Sequence, residues 1–245
     1  MKESVYTVVS NDRIAGAYWK MTLSGDSSGI SRGGQFVDIM IEGCYLRRPI
    51  AVLEWDKNWF SIIYKVVGKG TDILSKICKG GTLNILTGLG NGFDDKACIG
   101  KALIVCGGVG ASPAFSLAKR LIADGKKVTA ILGFNTKSEV ILFDEYRKLG
   151  ADTHVVTMDG SEGTKGFVTD ALKELDPEFD YFYTCGPKVM MKAVCDYIQG
   201  PGEVSLEERM GCGCGICYGC TCHTTNGARR VCADGPVFKK EEVIW

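Results

Sequence analysis

The stretch Ala102-Leu103-Ile104-Val105-Cys106-Gly107-Gly108-Val109-Gly110-Ala111-Ser112-Pro113 decides how this chain is read. Unbroken apolar residues without alternation suit a strand buried on both faces. The glycines that follow suit a tight strand-to-helix turn whose backbone approaches a pyrophosphate at the helix N-terminus. Gly107, Gly108, Gly110, Ala111, Ser112 and Pro113 are therefore candidate phosphate-binding residues. Helical patterning continues through Ala114–Asp124. It is followed by a strand at Val128–Gly133, a helix at Glu139–Leu149, a strand at His154–Met158 and a helix at Gly166–Leu175. A strand at Tyr181–Cys185 and a helix at Lys188–Ile198 complete the series. This alternation predicts a doubly wound parallel sheet over residues 99–200.

Cys185-Gly186-Pro187 closes the last strand, at the carboxyl edge where open sheets hold ligands, so Cys185 and Gly186 are candidates beside a nucleotide. The plainer reading of Cys185 is a small buried hydrophobe. No acidic residue closes the second strand, which runs on as Gly133-Phe134-Asn135-Thr136-Lys137. NAD and NADP are therefore not separated, and Lys137 leaves a phosphate partner open.

Upstream, short apolar or alternating runs at Ser4–Ser10, Ala17–Leu23, Phe36–Ile41, Pro49–Trp55, Trp59–Val67 and Thr82–Leu86 are separated by Gly-rich breaks. Residues 1–98 are expected to form a β-barrel or sandwich, interrupted by one helix over Gly70–Ile77 that Thr71 is placed to cap. Downstream, Gly200-Pro201-Gly202 reads as a linker, and residues 201–245 hold little core-forming material, so something other than a core must organise them.

Cysteine is that something. Of 12 cysteines, six (Cys44, Cys78, Cys98, Cys106, Cys185, Cys195) are scattered and six fall between Cys212 and Cys232. Cys212, Cys217, Cys220 and the distant Cys232 follow the C-x4-C-x2-C…C spacing of a [2Fe–2S] site. Glycines at 211, 213, 215 and 219 let the backbone wrap the sulfurs and aim N–H groups at them. Cys214 or Cys222 is an alternative ligand. The competing metal is zinc, through Cys214-x2-Cys217 and Cys217-x2-Cys220, but a second complete C-x2-C is missing. His223 has no second Cys-x-His unit, so a Rieske-type centre is not expected.

Lys+Arg and Asp+Glu both number 29, which points to no nucleic-acid or anionic-membrane partner. The start, MKESVYTVVSND, lacks a signal-peptide apolar core, and no apolar run is long enough to span a bilayer, so a cytoplasmic location is expected.

The segment Glu208-Arg209-Met210-x-Cys212-Gly213-x-Gly215-x-Cys217-x2-Cys220, closing with Cys232-Ala233-Asp234-Gly235-Pro236-Val237-Phe238, resembles the electron-transfer subunits of NAD-dependent dihydroorotate dehydrogenases. These belong to the ferredoxin–NADP reductase-like flavoproteins, and the resemblance covers essentially the whole chain. It implies an FAD-binding β-barrel (1–98), an NAD-binding α/β domain (99–200) and a [2Fe–2S] module (201–245). Arg48-Pro49-Ile50-Ala51 resembles the family's flavin-contacting strand, with Arg48 the pyrophosphate partner. Tyr64-Lys65-Val66-Val67-Gly68-Lys69-Gly70-Thr71 resembles its second FAD segment, so Lys65, Val66, Val67, Gly70 and Thr71 are implied FAD contacts. Ala51 replaces a Ser of the pattern and Lys65 a frequent Arg, which loses a bidentate contact and keeps the charge.

The resemblance further implies an electron relay in pyrimidine biosynthesis. An FMN-containing catalytic subunit would oxidise dihydroorotate, and electrons would pass through [2Fe–2S] and FAD to NAD+ within a heterotetramer. No side chain acts as acid, base or nucleophile in such a relay, and Cys185 would lie near the nicotinamide. A related ferredoxin:NAD(P) or sulfide-linked oxidoreductase subunit shares the same parts. A zinc-containing nucleotide-binding redox sensor is the reading from another class.

Overall fold

The computed structural model describes residues 1–245. Its first part is a closed barrel. Strands β1 (Lys2–Ala15), β2 (Tyr18–Ser24), β3 (Phe36–Ile39), β4 (Arg48–Asp56), β5 (Trp59–Lys65) and β6 (Thr82–Leu89) close in the order β1-β2-β5-β4-β3-β6. Alternation sends Leu83 and Ile85 of β6 inward, where the barrel interior holds Tyr6, Met21, Phe60 and Ile62 out of solvent. β1 outruns its expected span because register shifts at Val8/Ser10 and Arg13/Ala15 bend it around the barrel and mask its alternation.

Helix α1 (Lys69–Ser75) crosses the barrel end. Thr71 is not its N-cap, as expected, but its third residue. Its Oγ1 reaches back to accept the N–H groups of Val67 (3.0 Å) and of the N-cap residue Gly68 (3.3 Å), as the third residue of a capping box does.

The second part is a seven-stranded sheet, with β7 (Lys101–Gly107), β8 (Lys127–Phe134), β9 (Asp152–Thr157), β10 (Thr164–Lys165), β11 (Tyr181–Cys185), β12 (Gly202–Ser205) and β15 (Val237–Lys239). Their order is β10-β9-β8-β7-β11-β12-β15, parallel except for β15. Helices α2 (Ala111–Ala123), α3 (Phe143–Leu149), α4 (Val168–Leu175) and α5 (Lys188–Tyr197) cover its faces. Strand order reverses between β7 and β11, which sets the ligand crevice at their carboxyl ends. Leu103, Val105 and Phe182 have no exposed surface; each such side chain contributes about 1.5–3 kcal/mol through burial.

Two further expectations are corrected. The helix expected from Glu139 begins only at Phe143, because Leu142 takes the left-handed conformation (φ 62°) while Ile141 and Leu142 turn into the core. The tail also contributes core. Val204, Leu206, Val231, Phe238 and Val243 are buried in the cluster that holds Leu103 and Val105, and Val237 in the cluster on the other face of the sheet with Ile104 and Tyr183. Gly202, expected in a linker, opens β12, which pairs parallel with β11 across the expected boundary, and β15 pairs antiparallel with β12. Between them lies the cysteine loop with its hairpin, β13 (Thr221–Thr224) and β14 (Gly227–Arg230).

Barrel and sheet are joined along α2. Lys119 pairs with Glu54 (2.7 Å), Arg120 pairs with Asp95 (2.8 Å) and donates to the Ser31 carbonyl (2.6 Å). No helix is long and apolar enough to cross a membrane.

Candidate functional site

Two cavities meet at the seam between barrel and sheet. The smaller, of about 390 Å³, is lined from the barrel by Pro49, Ile50, Ala51, Lys65, Val67 and Thr71, all singled out in the sequence. The sheet side adds Val109, Pro113 and Cys185, and the approach to the cysteine loop adds Leu206, Glu207, Glu208 and Met210. Leu206 and Glu207 were not singled out in the sequence, and Glu208 and Met210 stood there only as part of the segment leading to the cysteines; the β12–β15 pairing brings all four to the barrel. Val66 lies behind this wall against the barrel core.

Arg48 is off the wall, at one end. Its guanidinium lies over Gly70, where a Cβ would stand 2.5 Å from Nε, and it donates to the Leu46 carbonyl (2.6 Å). Gly70 thus leaves room for a guanidinium beside the start of α1, a donor set suited to a diphosphate. The apolar slot with this cationic end fits a flavin dinucleotide.

The larger cavity, of about 770 Å³, lies over the carboxyl edge of the sheet. Gly107, Gly108 and Gly186 line it with Phe134, Asn135, Met158, Phe167, Pro187 and Met190. Gly110, Ala111 and Ser112 are buried and line neither cavity. Gly110 packs against the Cys185–Gly186 backbone, and the Ser112 hydroxyl is buried with no hydrogen-bond partner. Cys185 faces the smaller cavity and its neighbour Gly186 the larger. Burial pushes the Cys185 thiol well up, with Glu207 and Cys106 adding to it, and burial lifts the adjacent Cys106 to about 12. Both are therefore neutral thiols, which gives them no nucleophilic role.

Lys65, Val109 and Glu207 line both cavities and mark where they meet. Lys65 Nζ pairs with Glu139 Oε1 of the sheet half at 2.8 Å and sits 5.1 Å from the centre of the Tyr18 ring. Asn135 donates to the other Glu139 oxygen (2.8 Å). The pairing raises the Lys65 pKa and lowers that of Glu139, so both stay charged.

The cysteine loop leaves the smaller cavity at Met210. No three His, Cys, Asp or Glu side chains gather as the ligand set of one metal ion. The thiols instead stand in two pairs. Cys217 donates its N–H to Cys212 Sγ (3.4 Å), and Cys232 donates its N–H to Cys220 Sγ (3.4 Å). Ile216 adds a second N–H to Cys212 (3.3 Å), and Gly219 donates to Cys217 Sγ (3.4 Å). Burial raises the Cys212 thiol, but the N–H groups of Cys217, Cys214 and Ile216 outweigh it and bring it down to about 6. Burial and a hydrogen bond with Cys220 lift Cys232 to about 12.

Two thiol pairs with amides aimed at their sulfurs fit the four-cysteine ligation of a two-iron cluster. Cys214 also lies beside Cys212, and burial followed by that contact raises its pKa. Cys222 is buried on β13 in the apolar core, and His223 is exposed on the same strand. Asp38 of the barrel is buried with Oδ1 unpartnered and its other oxygen against Gly213. Burial lifts Asp38 to about 6, with Cys212 adding and Arg47 and Arg48 opposing.

Residues 207–244 match the iron–sulfur cluster binding domain of dihydroorotate dehydrogenase B, and residues 104–196 match an oxidoreductase NAD-binding domain. The electron transfer subunit of dihydroorotate dehydrogenase B (NAD(+)) from Bacillus pumilus is 42% identical, over 99% of this chain and 98% of its own length. This chain belongs to that family. The Fusobacterium nucleatum member is 43% identical over 99% of both chains. Among solved structures, an NADH-dependent reduced ferredoxin-NADP oxidoreductase, studied for flavin-based electron bifurcation, matches with a TM-score of 0.90. It is 33% identical, over 99% of this chain and 90% of its own. Phthalate dioxygenase reductase (TM-score 0.66, 20% identity, 80% of this chain and 64% of its own) shares the fold. The family's iron–sulfur domain thus falls on the cysteine loop, and its NAD-binding domain on the sheet that carries the larger cavity.

Proposed function

We propose that this chain takes electrons from an FMN-containing catalytic subunit that oxidises dihydroorotate, and delivers them through a [2Fe–2S] cluster and FAD to NAD+. The observation that carries this reading is the smaller cavity, lined on one side by the barrel residues expected for FAD and on the other by the approach to the cysteine loop. A flavin held there lies between the cysteine pairs and the nucleotide cavity. When bound, the flavin supplies the exchange between one-electron and two-electron steps, chemistry that belongs to the cofactor.

The protein's part is to hold and orient. Arg48, Gly70 and Thr71 are assigned to the FAD diphosphate end, Pro49, Ile50, Ala51 and Val67 to its body with Val66 backing that wall, and Lys65 to the flavin edge. Gly107, Gly108 and Gly186 receive the nicotinamide dinucleotide, with Gly110–Pro113 supporting that turn and Cys185 a neutral wall between the two sites. Cys212, Cys217, Cys220 and Cys232 ligate the cluster. The division into 1–98, 99–200 and 201–245 describes these cofactor assignments, while the sheet itself continues past residue 200. All 12 cysteines are free, which fits a reducing cytoplasm, and the assembly is a heterotetramer of two copies of each subunit.

The test is copurification with a flavoprotein partner and NAD+ reduction on adding dihydroorotate. Activity with reduced ferredoxin and none with dihydroorotate rejects the proposal. The 0.90 TM-score match to a ferredoxin-NADP oxidoreductase is the observation behind that second reading.

A further inference from the structure

We infer that Arg230 is a positioning residue that tunes the cluster by polarising the Gly215–Ile216 peptide, whose N–H is aimed at Cys212. The inference rests on the cluster reading above.

Arg230 ends β14, two residues before Cys232. Its guanidinium is held by a fork: Nε and Nη2 donate to the two Asp234 oxygens at 3.0 and 3.1 Å, and its backbone N–H adds a third bond to Asp234 at 2.8 Å. Such a bidentate pair fixes the guanidinium plane. The remaining arm, Nη1, donates to the Gly215 carbonyl at 2.8 Å. The face of the guanidinium lies 5.0 Å from the centre of the Tyr218 ring, and Tyr218 itself takes a left-handed conformation (φ 59°). One side chain therefore links the loop bearing three of the four assigned ligand cysteines to the segment that brings the fourth.

The Gly215 carbonyl and the Ile216 N–H are the two ends of a single peptide unit. A cation at the oxygen draws electron density toward it through amide resonance and strengthens the N–H as a donor. That N–H points at Cys212 Sγ, 3.3 Å away. Hydrogen bonds to cluster sulfurs favour the reduced, more negative state and raise the reduction potential. Gly215 is tightly placed for this: a Cβ there would stand 2.7 Å from the Ala233 side chain and 3.3 Å from Arg230 Nη1. Arg229 supplies the comparison, since it carries the same charge on the same strand and makes no bond to the loop.

The experiment uses the full-length protein with its cluster assembled from iron and sulfide, its content fixed by iron analysis and absorbance. Midpoint potentials are read by EPR-monitored titration, and the Ile216 amide by hyperfine coupling after 15N-isoleucine labelling. Arg230→Gln should make the cluster harder to reduce by roughly three- to tenfold in equilibrium constant, the upper figure being about 59 mV for one electron. The Ile216 coupling should weaken with it, and Arg229→Gln should leave both within experimental scatter. Equal shifts in the two variants, or an unchanged Ile216 coupling in Arg230→Gln, overturn the inference. If Arg230→Gln does not retain its cluster, Arg230→Lys takes its place. A single ammonium cannot span Asp234 and Gly215 together, so the coupling should still weaken, and an unchanged coupling again refutes it. Wild-type protein that takes up no cluster refutes the cluster reading itself, a result recognisable before any variant is made.

Discussion

Gly110→Ala is the sharpest probe of the switch point. Gly110 has helical φ and ψ (−60°, −17°) that suit alanine, so any cost is steric. An added methyl would press into the Cys185 carbonyl oxygen, and would stand 2.6 Å from the Cys185 carbonyl carbon and 2.9 Å from the Gly186 nitrogen. All three are backbone atoms of a central strand end, with no flexible side chain to yield. Overpacking of this kind costs about 1–3 kcal/mol, and the absence of any soft neighbour places Gly110→Ala at the upper end, about 2–3 kcal/mol. For a chain of this size that is about 4–12 °C in Tm. The same displacement pushes Gly186 toward the larger cavity, so NADH affinity should fall as well. Two other glycines separate the causes. A Cβ at Gly68 (φ −174°) meets nothing within 4 Å, so Gly68→Ala should be neutral; Gly150 (φ +96°) has equal space but a left-handed backbone, so Gly150→Ala should cost about 1 kcal/mol through conformation alone. Differential scanning fluorimetry and NADH titration of the three variants measure this. Gly110→Ala melting with the wild type refutes the steric argument.

Burial lifts the carboxyl of Glu203 from 4.5 to about 7, with the Asp94 N–H opposing. An acid raised on folding weakens the fold as pH rises through that window. Glu203→Gln, which keeps an acceptor for that N–H, should therefore gain on the order of 3 kcal/mol at pH 8 and nothing at pH 4; urea midpoints across pH check both. Glu139→Gln leaves a part-buried Lys65 without its charge partner between the two cavities. It should raise the Kd for NADH several-fold and lower Tm by a few degrees, and a second change, Lys65→Met, should restore part of the lost stability. Cys→Ser at 212, 217, 220 or 232 should abolish cluster absorbance, while Cys214→Ser and Cys222→Ser should retain it. Loss in Cys214→Ser with retention in Cys212→Ser would reassign the first ligand.

Strands whose signal is local were legible in the sequence. Tyr181–Cys185 is rich in aromatic and β-branched residues, buried throughout, and occupies the expected residues. The barrel residues lining the smaller cavity were found through resemblance, because Pro49-Ile50-Ala51 by themselves are only a strand. What stayed hidden depends on distant partners. Gly202-Glu203-Val204-Ser205 has the composition of a turn, and becomes a strand because β11 and β15 take up its backbone hydrogen bonds. Leu142 turns left-handed where Ile141 and Leu142 enter the core while Glu139 is held at the seam by Lys65 and Asn135. Arg230 has neighbours in sequence that mark it as a surface cation. Its three-way contact exists only after the cysteine loop has folded back.

The pairing of β12 with β15 makes the cysteine segment a closed excursion, leaving one sheet at Ser205 and returning to it at Val237. A redox module on a single tether must search for a productive orientation, and its electron transfer slows as the solvent thickens. Here both ends are anchored to the strands that build the flavin crevice, so the distance between the two carriers is a property of the sheet. Internal transfer should accordingly be indifferent to added glycerol, and any viscosity dependence of turnover belongs to docking with the partner subunit.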